Sequence, residues 1–278
     1  MKLFCFGLGY TASHLISELS PSSWQFSGTH KSAGDILFDG STALVNAGEH
    51  LKDVTHLLIS IPPNAGQIDP VLHHHKEQIL NMPHLKWIGY LSATSVYGDH
   101  NGDWVDENTI PEPTESRGQN RLDAEQLWQS LDLPVHIFRL GGIYGPDRNQ
   151  IGAVKDNSAK KIIKKNHTFS RIHIDDISAA LIASIESPSP NAIYNIVDDL
   201  PTSSADVLDF ICQLVNEPKI EGIAFEDANL SDMAKSFYSD NKRVRNDLTK
   251  AKLNWQPKFA NYKQGYADIL EKLEQGLL

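Results

Sequence analysis

Cysteine is scarce in this chain: Cys5 and Cys212 are the only two in 278 residues, and their separation gives no sign of a disulfide framework or of paired thiolate ligands. Long apolar runs are missing as well, and none approaches the roughly 20 residues that a helix needs to cross a bilayer. Positive charge is in deficit, with 25 Lys and Arg against 35 Asp and Glu, a net charge of −10 and a pI near 5.6. That balance argues against a partner made of phosphate backbone, so no nucleic acid is expected. There is no low-complexity tract, Gly/Ser linker or internal repeat, and 40% of the residues are apolar, which excludes a disordered chain. The opening Met1–Phe6 stretch is too short for a signal peptide and breaks at Gly7. The expectation is a soluble, cytoplasmic globular protein with no membrane partner and with chain enough for one large domain or one and a half.

Short apolar runs alternate with amphipathic ones through the first half. Leu3–Phe6, Trp24–Gly28, Ile36–Phe38, Val54–Ile61, Leu85–Ser92 and Val135–Leu140 read as strands, and Ala12–Leu19, Pro70–Met82 and Leu122–Leu131 as helices. Strands that are apolar on both faces and alternate with helices imply a parallel sheet covered on both sides. The predicted fold class is therefore α/β, a Rossmann-type doubly wound parallel sheet with a smaller C-terminal α/β lobe and a ligand at the carboxyl ends of the strands. Beyond Pro146 the pattern loosens to a helix at Asp175–Ser187, a strand at Ala192–Val197, a helix at Ser203–Val215 and a closing helix near Tyr262–Leu273. Residues 1–147, with a return segment at about 174–200, are expected to form the sheet domain. Residues 148–173 and 201–278 form the smaller lobe in this reading.

The motif that carries chemistry is Gly7-Leu8-Gly9-Tyr10-Thr11-Ala12, directly after the first strand and opening the first helix. Gly7 permits a tight turn, Gly9 admits a pyrophosphate to the backbone, and small Ala12 lets helix and strand pack closely. The helix N-terminus supplies free N–H groups and a favourable dipole, with Tyr10 and Thr11 in its first turn. Glycines serving geometry alone are the competing reading. At the end of the second strand stand His30 and Lys31, where an NAD site places an acid for the ribose 2′-OH, and this favours NADP over NAD. A solvated lysine in a surface turn is the alternative. Asp39 is either an adenine contact or an exposed turn residue, and Ser60, closing the Val54–Ile61 strand, is a further cofactor contact.

Several segments together resemble the extended short-chain dehydrogenase/reductase family of NAD-dependent epimerases and dehydratases. They are Gly7–Leu15, Leu91–Gly98 with its Val-Tyr-Gly, Arg139–Pro146, Arg171–Ile177 and Ala192–Asp199, and they follow the family's order. The resemblance implies a Rossmann domain with a C-terminal substrate lobe, often as a homodimer. The usual GxxGxxG spacing would fall on Phe6, Gly9 and Ala12, so only its middle glycine is kept. Family enzymes use a Tyr as acid/base, a Lys four residues later and a preceding Ser or Thr. Aligned on Gly118 and Ala124-Glu125, those positions hold Arg117, Arg121 and Ala93. An arginine stays protonated and cannot shuttle a proton, so hydride chemistry by the usual route is not expected.

Thr94 is the best surviving hydroxyl in this reading, and Tyr144 is a candidate relocated acid. Arg121 could hold a ribose hydroxyl or phosphate. Arg117 would either grip a ligand carboxylate or phosphate or form a salt bridge with Glu112, Glu115 or Asp123. Arg171, His173 and Arg243, the last within Lys242–Asn246, are candidate substrate contacts, with capping, packing and solvation as the alternatives. Asp103, Asp106 and Glu107 are read as solvated loop carboxylates, with a loop folded over the cleft as the alternative. No metal is expected, because His73, His74 and His75 point about 100° apart on a helix. The reading is an NAD(P)-binding protein, an oxidoreductase or epimerase acting on a small anionic or sugar-nucleotide-like ligand. The alternatives are a non-catalytic NADP sensor and a structural protein without dinucleotide.

Overall fold

The first strand sets the architecture. Leu3, Phe4, Cys5 and Phe6 are all fully buried, and their side chains divide by alternation between two apolar clusters. Leu3 and Cys5 pack with Ala12, Leu15, Ile177 and Leu181 on one face of the sheet. Phe4 and Phe6 pack with Val71, Leu72, Ala124 and Trp128 on the other. A strand buried on both faces needs helices above and below, which is the doubly wound layer order. The computed structural model describes residues 1–64 and 68–277.

In chain order the first part runs β1 (Lys2–Phe6), α1 (Tyr10–Glu18), β2 (Gln25–Gly28), α2 (Ala47–His50), β3 (His56–Ile59), α3 (Pro70–Leu80), β4 (Trp87–Ala93), β5 (Trp104–Val105), α4 (Ser116–Gln129) and β6 (Val135–Leu140). There follow β7 (Gly142–Tyr144), α5 (Ile151–Lys155), β8 (Lys161–Ile163), β9 (Arg171–His173), α6 (Ile174–Glu186) and β10 (Ile193–Ile196). The chain closes with α7 (Ser204–Leu214), β11 (Gly222–Ala224), α8 (Asp232–Ser236), β12 (Arg243–Val244), α9 (Asp247–Leu253) and α10 (Tyr262–Glu274). Six strands form one sheet in the order β10-β6-β4-β3-β1-β2, every pair parallel. The chain leaves β2 on one side of β1 and re-enters as β3 on the other, so a crevice opens between the carboxyl ends of β1 and β3. A smaller cluster, with Tyr144, Ile151, Val207, Leu208, Tyr262 and Tyr266, lies outside the two sheet clusters and is the core of the C-terminal lobe.

One predicted strand is corrected. Ile36–Phe38 makes only a bridge between Leu37 and His30, with the His30 amide donating to the Ile36 carbonyl at 2.8 Å. Only Phe38 of the three is buried while Leu37 is 52% exposed, so the trio lacks the two-sided burial that a sheet strand needs. The helix read from Leu122 starts earlier, at Ser116, because a polar first turn carries no apolar period. Among the described residues no helix is long and apolar enough to cross a membrane.

Candidate functional site

The glycine loop is fixed by its neighbours. Gly7 has φ +97°, and a Cβ there would lie 2.7 Å from the Ile61 Cγ2 across the β1–β3 crevice, so a side chain is excluded twice. The Gly7 amide donates to the Thr29 hydroxyl at 3.0 Å and the Leu8 amide to the Thr29 carbonyl at 2.7 Å. Gly9 is the N-cap of α1 in extended conformation, no side chain caps the helix, and a Cβ on Gly9 would meet nothing within 4 Å. The first amides of α1 are therefore open to a ligand. Phe6, in place of a family glycine, is buried in the core 5.6 Å from the Phe38 ring and does not obstruct this loop. Ala12 is buried against the sheet, Thr11 is buried, and the Tyr10 hydroxyl is a buried atom without a partner among the described residues. Burial, then the Asp147 carboxylate, pushes Tyr10 up to about 12.

At the end of β2 the His30 ring lies over Gly34, where any Cβ would collide with it. Lys31 is exposed and has no carboxylate partner among the described residues, while Asp39 accepts from the Ser41 amide at 2.8 Å and the Ser41 hydroxyl at 2.7 Å. Ser60 follows β3, its amide donating to the Phe6 carbonyl at 2.9 Å.

The opposite side of the crevice is built by β4 and α4. Ala93 ends β4, Thr94 opens a 3-10 turn, and Gly118 lets α4 approach that turn so closely that a Cβ would be 2.6 Å from the Ser95 carbonyl. Thr94 is half-buried, with no side-chain partner among the described residues, and the Ser95 hydroxyl is buried and unpartnered. Arg121 donates from Nη1 to the Leu91 carbonyl at 2.6 Å. Arg117, one turn earlier, is exposed and lies 5.1 Å from the centre of the Phe237 ring. None of Glu112, Glu115 and Asp123 bonds to it.

Behind this surface lies a buried polar network that sequence reasoning left out of the site. Glu125 and Arg139, both almost fully buried, make a bidentate pair with contacts of 3.2 and 2.7 Å. Ser92 also donates to Glu125. The Arg139 guanidinium lies 4.8 Å from the Tyr97 ring centre, and Tyr97 donates to Asn195 at 2.8 Å. Glu107 belongs here rather than in solvent, accepting from the Thr249 hydroxyl at 2.6 Å. The Ala-Glu pair and the arginine near the end of a buried, largely apolar strand were the available signals.

The remaining candidates lie in or beside the C-terminal lobe. Tyr144 is embedded in that lobe's core, stacked on Tyr266 at 5.2 Å and 8°, and its hydroxyl is buried without a partner among the described residues. Burial, with Asp198 and Asp176 nearby, drives that phenol far above its ordinary range. Arg171 donates to the carbonyls of Thr202 at 2.7 Å and Phe169 at 3.0 Å. His173 is fully buried and caps α6, accepting from the Asp175 amide at 3.2 Å, and burial holds it down at about 4. Arg243 is exposed, 6.0 Å from the Trp104 ring centre. Lys242 donates to the Gly98 carbonyl at 2.7 Å and so ties the two lobes together. A cavity of about 230 Å³ in this lobe is lined by Lys161, Lys164, His167, Phe169, Ser204 and Tyr238, none of them singled out by the sequence. His75 is buried and accepts from the Leu44 amide at 3.0 Å, and His74 meets the Gly40 carbonyl. No group of three metal-binding side chains is present among the described residues.

No family model matches the sequence. A solved structure of a functionally unknown conserved protein from Silicibacter pomeroyi DSS is 42% identical, covers 99% of this chain and 98% of its own, and superposes with a TM-score of 0.89. The chain belongs to one family with that protein. Protein YeeZ of Escherichia coli K12 is 26% identical over 271 residues, 89% of this chain and 94% of YeeZ. Human epimerase family protein SDR39U1 with NADPH is 15% identical at a TM-score of 0.77, over 98% of this chain and 99% of its own. The fold is that of the extended short-chain dehydrogenases/reductases, as the motifs indicated.

Proposed function

We propose that this protein binds a nicotinamide dinucleotide, NADP in preference to NAD, in the crevice between β1 and β3, and holds a small anionic or sugar-nucleotide-like ligand between its lobes. The observation that carries the reading is the uncapped start of α1: Gly9 leaves open space above amides that no side chain satisfies. Solved proteins of this fold hold NAD or NADPH. The preference for NADP is supported by exposed Lys31 just beyond β2, where an NAD site places an acid for the ribose 2′-OH. When bound, the dinucleotide supplies hydride transfer. The chain's own contribution is to seat the pyrophosphate on the α1 amides, to present Thr94 as a hydroxyl donor and to place fixed positive charge at Arg117.

Titration with NADPH and NADH, read by energy transfer from the five tryptophans, tests this. NADPH is expected to bind more tightly than NADH, and Lys31→Ala to erase the difference. Failure of both to bind overturns the reading. A second reading, dinucleotide binding without turnover, is favoured by the state of the tyrosines. Tyr97 is bonded to Asn195 and Tyr144 lies in the core of the smaller lobe. Hydride transfer to any member of a panel of carbonyl compounds and sugar nucleotides would eliminate it.

A further inference from the structure

In a chain with ten more acidic than basic residues, most buried or half-buried cations are matched. Arg139 pairs with Glu125 at 2.7 Å, Lys161 with Asp209 at 2.7 Å, and Lys272 with Asp268 at 2.7 Å. Half-buried Arg121 and the exposed Arg117 and Arg148 have no carboxylate within 4.0 Å among the described residues. Each is nevertheless held in place. Arg117 and Arg121 sit four residues apart on α4, hence on one face, and Arg121 is anchored by the Leu91 carbonyl at the end of β4. Arg148 closes a tight turn, its amide donating to the Gly145 carbonyl at 3.0 Å and its carbonyl accepting from the Gly145 amide at 3.1 Å. Gly145 lies against the Tyr10 hydroxyl, so this turn abuts the first turn of α1. Partial burial, then the charges of Arg121 and Arg148, lower the proton affinity of Arg117, so both charges lie close enough to act on it.

We propose that Arg117, Arg121 and Arg148 form a recognition site for an anionic group, a carboxylate or a phosphate ester, carried by the second ligand and not by the dinucleotide. This deepens the reading of the site above and rests on it for the location of the dinucleotide. The α1 amides already supply donors for a pyrophosphate, whereas Arg117 stands on α4 beneath the half-exposed Phe237 of the C-terminal lobe. A guanidinium covered on one face by an aromatic ring keeps its donor edge free for bidentate contact. The same substitution thus has two consequences: it removes the proton shuttle of the family pattern, and it selects a ligand that brings negative charge to the place the shuttle occupied.

The test is isothermal titration of the full chain with inorganic phosphate and with malonate, each without nucleotide and under saturating NADPH. One equivalent of at least one probe should bind in both conditions. Arg117→Ala and Arg148→Ala should each weaken that binding by about tenfold to a hundredfold and leave NADPH affinity unchanged. Lys76→Ala, on the exposed face of α3, should change neither. If NADPH expels the probe and the arginine variants lose NADPH instead, the cluster belongs to the dinucleotide and the proposal falls. Absence of probe binding in both conditions also overturns it. Should NADPH itself not bind, the proposed cofactor fails, while the nucleotide-free titration still decides the fate of the arginine site.

Discussion

The two sides of the crevice are made of different material. On the β1–α1 side the proposed ligand surface is backbone: a turn set by Gly7, amides left open after Gly9, and a Thr29 hydroxyl that fixes the loop. On the β4–α4 side it is side chain: Ala93, Thr94, Arg117 and Arg121, with the Glu125–Arg139 pair behind them. A backbone site survives almost any change in sequence that keeps the turn. A side-chain site can be emptied of its chemistry by a few substitutions without disturbing the fold. On the proposed reading the first surface offers backbone donors while the second carries arginine at position 117, so its chemistry can diverge where divergence costs least stability.

The sharpest way to break this contrast is through the buried pair. Arg139→Met would strand the Glu125 carboxylate in the core and should destabilise the fold by about 3–5 kcal/mol, read as the urea midpoint of unfolding. Glu125→Met together with Arg139→Met should recover most of that loss, because no charge is then left alone. If the single variant melts like the parent, the pair is solvated and the side-chain wall is not rigid. Next in size are the glycines. Gly7→Ala should cost about 1–3 kcal/mol, since it meets both a positive φ and the Ile61 side chain. Gly9→Ala has open space around its Cβ and should cost less than about 1 kcal/mol while weakening NADPH about tenfold. Equal effects of the two on stability would show that the Gly9 position is not open.

The same division explains what was legible in the sequence. The sheet was readable because β1, β3, β4 and β6 are buried on both faces, and the glycine turn before α1 because glycine spacing is a backbone property. The third strand misled because Ile36-Leu37-Phe38 has strand composition but buries a single side chain. Tyr144 could not be placed, since a tyrosine after a strand reads alike whether it faces a cleft or a lobe core, and only the stacking with Tyr266 settles the matter. Arg148 and the cavity around His167 were invisible for a related reason: they are assembled from turns that carry no periodic signal.

Smaller effects should appear with pH. Burial holds His56, His136 and His173 near 4 in the fold against 6.5 in the free side chain. These groups stabilise the fold above pH 6.5, and that contribution is lost as the pH falls through 4. Asp176 and Asp198 have the opposite sign. Burial raises both from 3.8 to about 7, so their contribution is complete below 3.8 and is lost as the pH rises through 7. The two sets offset one another between pH 4 and 6.5. Asp176→Asn combined with Asp198→Asn should unmask the histidines, with a slope steeper by about two protons over that range and greater stability than the parent at pH 8. Urea unfolding at pH 5, 6.5 and 8 measures it, and an unchanged slope would show that the carboxyls are not protonated in the fold.

The smallest expected effect carries a distinct lesson. The Tyr144 hydroxyl is buried, bonds to nothing among the described residues, and presses on Gly265, where a Cβ would collide with it. Removing an unpartnered buried polar atom relieves a desolvation cost instead of adding one. Tyr144→Phe should therefore leave stability within about 0.5 kcal/mol of the parent or raise it, and leave NADPH affinity untouched. A melting curve and one titration are enough to check both. A tenfold loss of any hydride transfer in this variant would bring the phenol back into the reaction, and the C-terminal lobe would then supply the proton that no arginine can.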